Sequence, residues 1–161
     1  MDLSQLSTAD LLVLYGQIEN LLRKRDVTRT CNNPVGDLAE KLFKEAFHWE
    51  LGANSKAHVD AIDPADGSRY QIKARRLTEE KKPRQLSAIR GLHEANFNFL
   101  AAVLFDENYR VRRAAIIPYS IVKELAKPDK HTNSSKFFLR ENVWDIPGVR
   151  DVTNQLRSVV L

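Results

Sequence analysis

The chain has 161 residues, 43% hydrophobic and 29% charged, with a formal net charge of +4 and a pI near 9.3. That length and composition suit one soluble domain, residues 1–161, and no apolar run approaches the roughly 18 residues of a membrane span. The single Cys31 excludes an internal disulfide and a cysteine-built zinc site, and Met1-Asp2-Leu3-Ser4-Gln5 lacks the basic and apolar parts of a secretion signal, so a cytoplasmic protein is expected.

Ser7-Thr8-Ala9-Asp10 reads as a helix start, with Asp10 three residues after a Ser cap. Leu11, Leu14, Tyr15, Ile18, Leu21 and Leu22 follow at helical spacing, and Arg23-Lys24-Arg25 suits the negative end of the helix dipole. Residues 1–30 are thus expected as an N-terminal helical extension that serves packing. Asp26–Pro34 reads as a linker. A second helix is predicted from Pro34 to Trp49, its apolar stripe formed by Ala39, Leu42, Phe43, Ala46 and Phe47. Asp37, Lys41 and Lys44 are expected to face away. Glu40 falls at the stripe edge, pointing along the core boundary or paired with Lys44 one turn on.

Glu50–Ala57 reads as a loop or short strand. A hairpin is predicted next: His58–Ile62, the turn Asp63-Pro64-Ala65-Asp66-Gly67-Ser68, and Arg69–Ala74. Centring it between Ala65 and Asp66 pairs Ala61 with Tyr70 and places Asp60 opposite Gln71. One face then carries Val59, Ala61, Tyr70 and Ile72; the other carries Asp60, Gln71 and Lys73. His58 falls opposite Lys73, bordering that polar face.

Thr78–Gln85 is polar and exposed in this reading, and Ser87–Glu94 a short helix. Phe97–Phe105 is a buried strand, Asp106-Glu107-Asn108 a turn, and Tyr109–Ile117 a returning strand. Pro118 starts a helix to about Ala126. Lys127–Ser135 reads as a loop, Lys136–Arg140 as a strand, and Gly148–Val160 as a final helix. Trp49 and Trp144 are expected in the core. The order gives an α/β or α+β sandwich with a mixed central sheet flanked by helices. Its core spans residues 34–126, with a C-terminal extension at 127–161.

Segment 69–90 carries eight basic residues against two acidic ones. A local cationic excess attracts phosphodiester backbones. It sits beside Asp60, Gln71 and Lys73. Acidic and amide oxygens can hold a hard divalent ion, and a lysine can orient water or steady a pentacovalent phosphate. No Walker loop, dinucleotide fingerprint or Ser-nucleophile motif competes with this reading.

Gly36-Asp37-Leu38-Ala39-Glu40, then Asp60, then Gln71-Ile72-Lys73 together resemble the PD-(D/E)xK, restriction-endonuclease-like nuclease superfamily, in the D…QxK form of Mrr-like enzymes. Tyr70–Arg76 with Gln85–Arg90 also looks like small bacterial proteins of uncharacterised function. The nuclease resemblance covers about Pro34 to Phe105. It implies a Mg²⁺- or Mn²⁺-dependent DNA endonuclease, restriction- or defence-related, leaving a 5′-phosphate. It assigns Asp60 as principal metal ligand, Gln71 and the Ile72 carbonyl as further ligands, Glu40 as the helix-borne acid and Lys73 as the catalytic lysine. Arg75, Arg76, Lys81, Lys82, Arg84 and His131 are the expected DNA contacts. Gln71 stands where the superfamily's second acid is usual. Double-strand cutting implies a homodimer. The alternatives are a degenerate DNA-binding module and a protein-interaction module exposing Phe137, Phe138 and Trp144.

Overall fold

The structure, a computed structural model, describes residues 2–30, 33–52, 59–79 and 84–161. Its elements are α1 (Thr8–Lys24), α2 (Val35–Phe47), β1 (Glu50–Leu51), β2 (Ala61–Ile62), β3 (Arg69–Arg76), β4 (Ile89–Arg90), β5 (Phe99–Phe105), β6 (Val111–Pro118), α3 (Tyr119–Leu125), β7 (Lys127–Asp129), β8 (Ser134–Lys136), β9 (Arg150–Asp151) and α4 (Thr153–Arg157). Two 3₁₀ turns, Leu92–Glu94 and Glu141–Asp145, complete the set. The fold is mixed α+β.

The central sheet runs β1-β2-β3-β5-β6-β9 and is mixed: β3 and β5 are parallel, the other pairs antiparallel. A second sheet runs β4-β8-β7. The central strand β5, Phe-Leu-Ala-Ala-Val-Leu-Phe, is apolar throughout because both of its faces are covered. Ala101, Val103 and Phe105 join α2, Trp49, Tyr70 and Ile72 on one side; Leu100, Ala102 and Leu104 join Leu86, Ile89, Phe137 and Leu139 on the other. Residues 127–161 feed both cores, since Val152 and Leu156 enter the first and Phe137, Leu139 and Val143 the second.

Helix α1 begins as its sequence predicts: the Ser7 side chain accepts from the Asp10 amide at 3.2 Å. It does not pack as expected, for none of its residues is buried. Helix α2 stops at Phe47 rather than Trp49, because His48 takes a left-handed conformation (φ 57°) and turns Trp49 into the core. There Trp49 stacks on Tyr70 with ring centroids 3.7 Å apart, between Phe47 and Phe43 on one side and the hairpin on the other.

The expected helix at Ser87–Glu94 is instead β4 followed by a 3₁₀ turn. Gly91, with φ 58°, breaks the run, and Ile89-Arg90 pair with Ser135 and Ser134 across the molecule. The expected loop Lys127–Ser135 is the hairpin of β7 and β8, and Lys136 is the only residue of Lys136–Arg140 in that strand. The final helix is shorter than predicted because Arg150-Asp151 pair with β6 first. Phe137 is fully buried and Trp144 half-buried, its Nε1 donating to the Ala114 carbonyl at 3.1 Å; that region offers no apolar face. Among the described residues no helix is long and apolar enough to cross a membrane.

Candidate active site

The hairpin keeps the predicted register: Ala61 opposes Tyr70 and Ile62 opposes Arg69. The turn closes through Asp63 N–H to the Ser68 carbonyl at 2.9 Å, with Gly67 at φ 74°. One step further the ladder departs from expectation. Asp60 donates its N–H to the Tyr70 carbonyl at 2.9 Å, the residue already opposite Ala61, so no direct Asp60–Gln71 pair follows. The Asp60 carboxylate instead takes the place of a neighbouring strand: Oδ2 accepts the Ile72 amide at 2.6 Å.

The hydrogen bonds of β3 distinguish its two edges. Leu77 donates to Phe105 and Arg69 accepts from Asn98, so the odd residues of β3 turn their amides and carbonyls to β5. The even residues, Ile72, Ala74 and Arg76, present theirs to the outer edge. Among the described residues β2 covers that edge only as far as Tyr70.

A cleft of about 630 Å³ opens there, lined by Glu40, Asp60, Ile72, Lys73, Arg75, Arg76, Thr78 and Ser87, with Asn33, Val35, Gly36, Ala39 and Ala74. The helix acid, the strand acid and the lysine of the predicted site thus meet in one place. Gly52 makes this possible on the Asp60 side. Its N–H donates to the Asp60 carbonyl at 2.9 Å, and a Cβ there would sit 3.0 Å from the Val59 carbonyl oxygen.

Glu40 is not paired with Lys44. Its Oε2 accepts from Arg29 Nη1 at 3.0 Å, while Arg29 Nη2 reaches the Gly52 carbonyl at 3.0 Å. Arg29 is placed in turn by Asp37, which is buried rather than facing away: Asp37 Oδ2 accepts from the Arg29 amide (2.8 Å), the Thr30 amide (2.8 Å) and Thr30 Oγ1 (2.9 Å). Neither residue stood out in the sequence. Arg29 lies in a linker without periodicity, and the partners of Asp37 precede its helix.

Burial pushes the Glu40 carboxyl up to about 7; Asp60 and Asp37 add to the rise, and Arg29 and Lys73 only partly oppose it. Burial lowers the Lys73 ammonium below the usual lysine range, with Arg90 acting in the same sense against the pull of Asp60 and Glu40. An acid and a lysine are therefore drawn toward each other's range, as proton-handling sites require.

Gln71 is buried on the Lys73 side of β3, its Oε1 without a hydrogen-bond partner, and it does not line the cleft. Among the described residues no group of three or more His, Cys, Asp or Glu side chains is arranged to hold a metal. The oxygens at the cleft that suit a hard divalent ion are the carboxylates of Glu40 and Asp60 and the edge carbonyl of Ile72; the orphaned amide oxygen of Gln71 lies outside the cleft lining.

Of the expected DNA contacts, Arg75 reaches the cleft with its Nε buried and unpartnered. Arg76 also lines it, but is held by the Glu107 carbonyl (3.0 Å) and Tyr109 Oη (3.0 Å), stacked over the Tyr109 ring. Arg84 does not line the cleft; it is bound to Glu141, which also holds Arg113. His131 sits at the exposed β7–β8 tip, away from the cleft lining. His58, Lys81 and Lys82 lie outside the described residues.

Comparison of the chain with protein-family models and with curated proteins finds no match.

Proposed function

We propose that this protein is a metal-dependent DNA endonuclease on a restriction-endonuclease-like core, with Glu40, Asp60, Gln71 and Lys73 as its working residues. The observation that carries this reading is the meeting of Glu40, Asp60 and Lys73 in one cleft beside the outer edge of β3. The mixed central sheet with helices around it suits such a core.

Asp60 lines the cleft and is held in place by the Ile72 amide, so its carboxylate would take a ligand with little reorganisation. Glu40 and Asp60 would hold Mg²⁺ or Mn²⁺, with the Ile72 carbonyl as a further donor; Gln71 Oε1 would join them by turning from its buried position into the cleft. When bound, that ion supplies Lewis-acid stabilisation of the charge that builds on a phosphate under attack. Lys73, poorly solvated, binds a phosphate oxygen more strongly than a surface lysine does, and burial lowers its ammonium below the usual lysine range. Arg75 extends from the same strand face to the flanking phosphodiester backbone.

The test is cleavage of supercoiled and single-stranded DNA in Mg²⁺, Mn²⁺ or EDTA, for wild type, Asp60→Ala and Lys73→Ala. Metal-dependent cutting that falls at least about 100-fold in both variants is expected. Cutting that persists in Asp60→Ala sinks the assignment.

A second reading, DNA binding without cleavage, is favoured by the Arg29–Glu40 pair, which already neutralises one of the two acids. It predicts salt-sensitive binding that survives Lys73→Ala and no cutting with any ion.

A further inference from the structure

Helix α1 carries an apolar stripe that the described residues cover only in part, with Leu14 and Leu22 half-buried. Leu11, Tyr15, Ile18 and Leu21 are between 38% and 57% exposed, and no residue of the helix is buried. Leu11, Leu14, Ile18 and Leu21 recur at spacings of three, four and three, which are the a and d positions of a heptad. Tyr15 and Leu22 flank that seam at e, and Asp10, Gln17 and Lys24 fall at g. Such a seam on a helix already capped and anchored is an unfilled half of a helix pair.

We propose that α1 pairs with α1 of a second copy of this chain, antiparallel across a two-fold axis near Gln17. The charges favour a second copy and set its direction. Asp10 and Asp2 lie at one end of the stripe, Arg23, Lys24 and Arg25 at the other. Antiparallel pairing brings Asp10 against Lys24 of the second copy, and the reverse, at facing g positions. It also layers Leu11 on Leu21 and Leu14 on Ile18. Parallel pairing would press the two Arg-Lys-Arg clusters together.

The size is sufficient. A 17-residue helix is about 25 Å long. Burying this stripe in two copies removes on the order of 1,000 Å², the threshold for a biological interface. The helix is also held firmly enough to serve. Val27 N–H closes its end on the Leu22 carbonyl at 2.9 Å, and Lys41 Nζ on α2 donates to the carbonyls of Arg25 and Asp26 at 3.1 Å each.

Sedimentation equilibrium of the whole chain tests this, with twice the 18.4 kDa chain mass expected. Ile18→Asp places a charge in the seam and should return a monomer of unchanged circular dichroism, since Ile18 is 44% exposed and belongs to neither core. In a Cys31→Ser background, Gln17→Cys should oxidise readily to a linked dimer, and Asp10→Cys should not. A monomeric wild type overturns the proposal, as does a dimer indifferent to Ile18→Asp. Linking at position 10 in preference to 17 overturns the antiparallel arrangement. A monomer that floats with anionic vesicles overturns it in favour of a membrane surface.

Discussion

Arg29 grips Glu40 side-on: one guanidinium nitrogen lies 3.0 Å from the carboxylate, and another is 3.0 Å from the Gly52 carbonyl beside Asp60. The linker residue thereby ties the helix acid to the segment that carries the strand acid. Arg29→Gln removes one of the two cations that restrain the Glu40 carboxyl, so that carboxyl should titrate above its present value of about 7. Carboxyl chemical shifts followed against pH in wild type and variant check this. An unmoved titration would mean that the pair is electrostatically idle.

The same carboxyl fixes a sign for stability. Glu40 titrates near 4.5 when unfolded and at about 7 when folded. Between those values the folded chain keeps a proton that the unfolded chain has lost, so Glu40 contributes stability below about 4.5 that disappears as pH rises through 7. The loss should be on the order of 1–2 kcal/mol after allowing for the side chain's partial exposure. Urea unfolding from pH 4.5 to 8 should show this fall in wild type and a flatter profile in Glu40→Gln.

Asp37→Ala should destabilise the chain by about 2–3 kcal/mol, because it strands two backbone amides and a hydroxyl that share one carboxylate oxygen. It should also release Arg29 from Glu40. A urea midpoint lowered without a change in slope, together with the carboxyl titration of the Arg29→Gln experiment, would report both effects.

The basic residues near the cleft should separate by salt dependence. Arg75→Ala should weaken DNA binding and reduce the slope of log K against log salt by about one. Arg84→Ala should leave that slope unchanged and cost stability instead, since its guanidinium serves Glu141. Equal slopes for Arg75→Ala and wild type would remove Arg75 from the interface.

The hairpin was legible in the sequence because its turn residues determine its register, and register determines which side chains share a face. The strand Phe99–Phe105 was legible from its apolar run, and α1 from its cap and spacing. What escaped depended on distant partners. Leu86, Ile89 and Leu92, three apart, read as a helix, yet Ile89 finds its partner 46 residues on at Ser135. The polar Ser134–Lys136 segment showed no strand pattern because β4 and β7 supply its hydrogen bonds from either side. Glu40, Asp60 and Lys73 were named through the resemblance of their motif, and the structure lines one cleft with them; the contact of Arg29 with Asp37 was not named, since chain-local patterns do not reveal a contact between a linker and a helix. Arg84 looked like a phosphate clamp only because Glu141 lies 57 residues away.

The side chain of Asp60 does a second service that any experiment on it will disturb. By accepting the Ile72 amide it takes the place of a strand partner at an edge where, among the described residues, Ala74 and Arg76 also present backbone groups outward. Bare strand edges template the addition of further chains. Asp60→Ala frees one more amide at that edge, so a variant made to silence the cleft should also self-associate more readily. Asp60→Asn keeps an oxygen to seal the edge, and the difference in light scattering between the two variants measures how much of Asp60's importance is protection against aggregation.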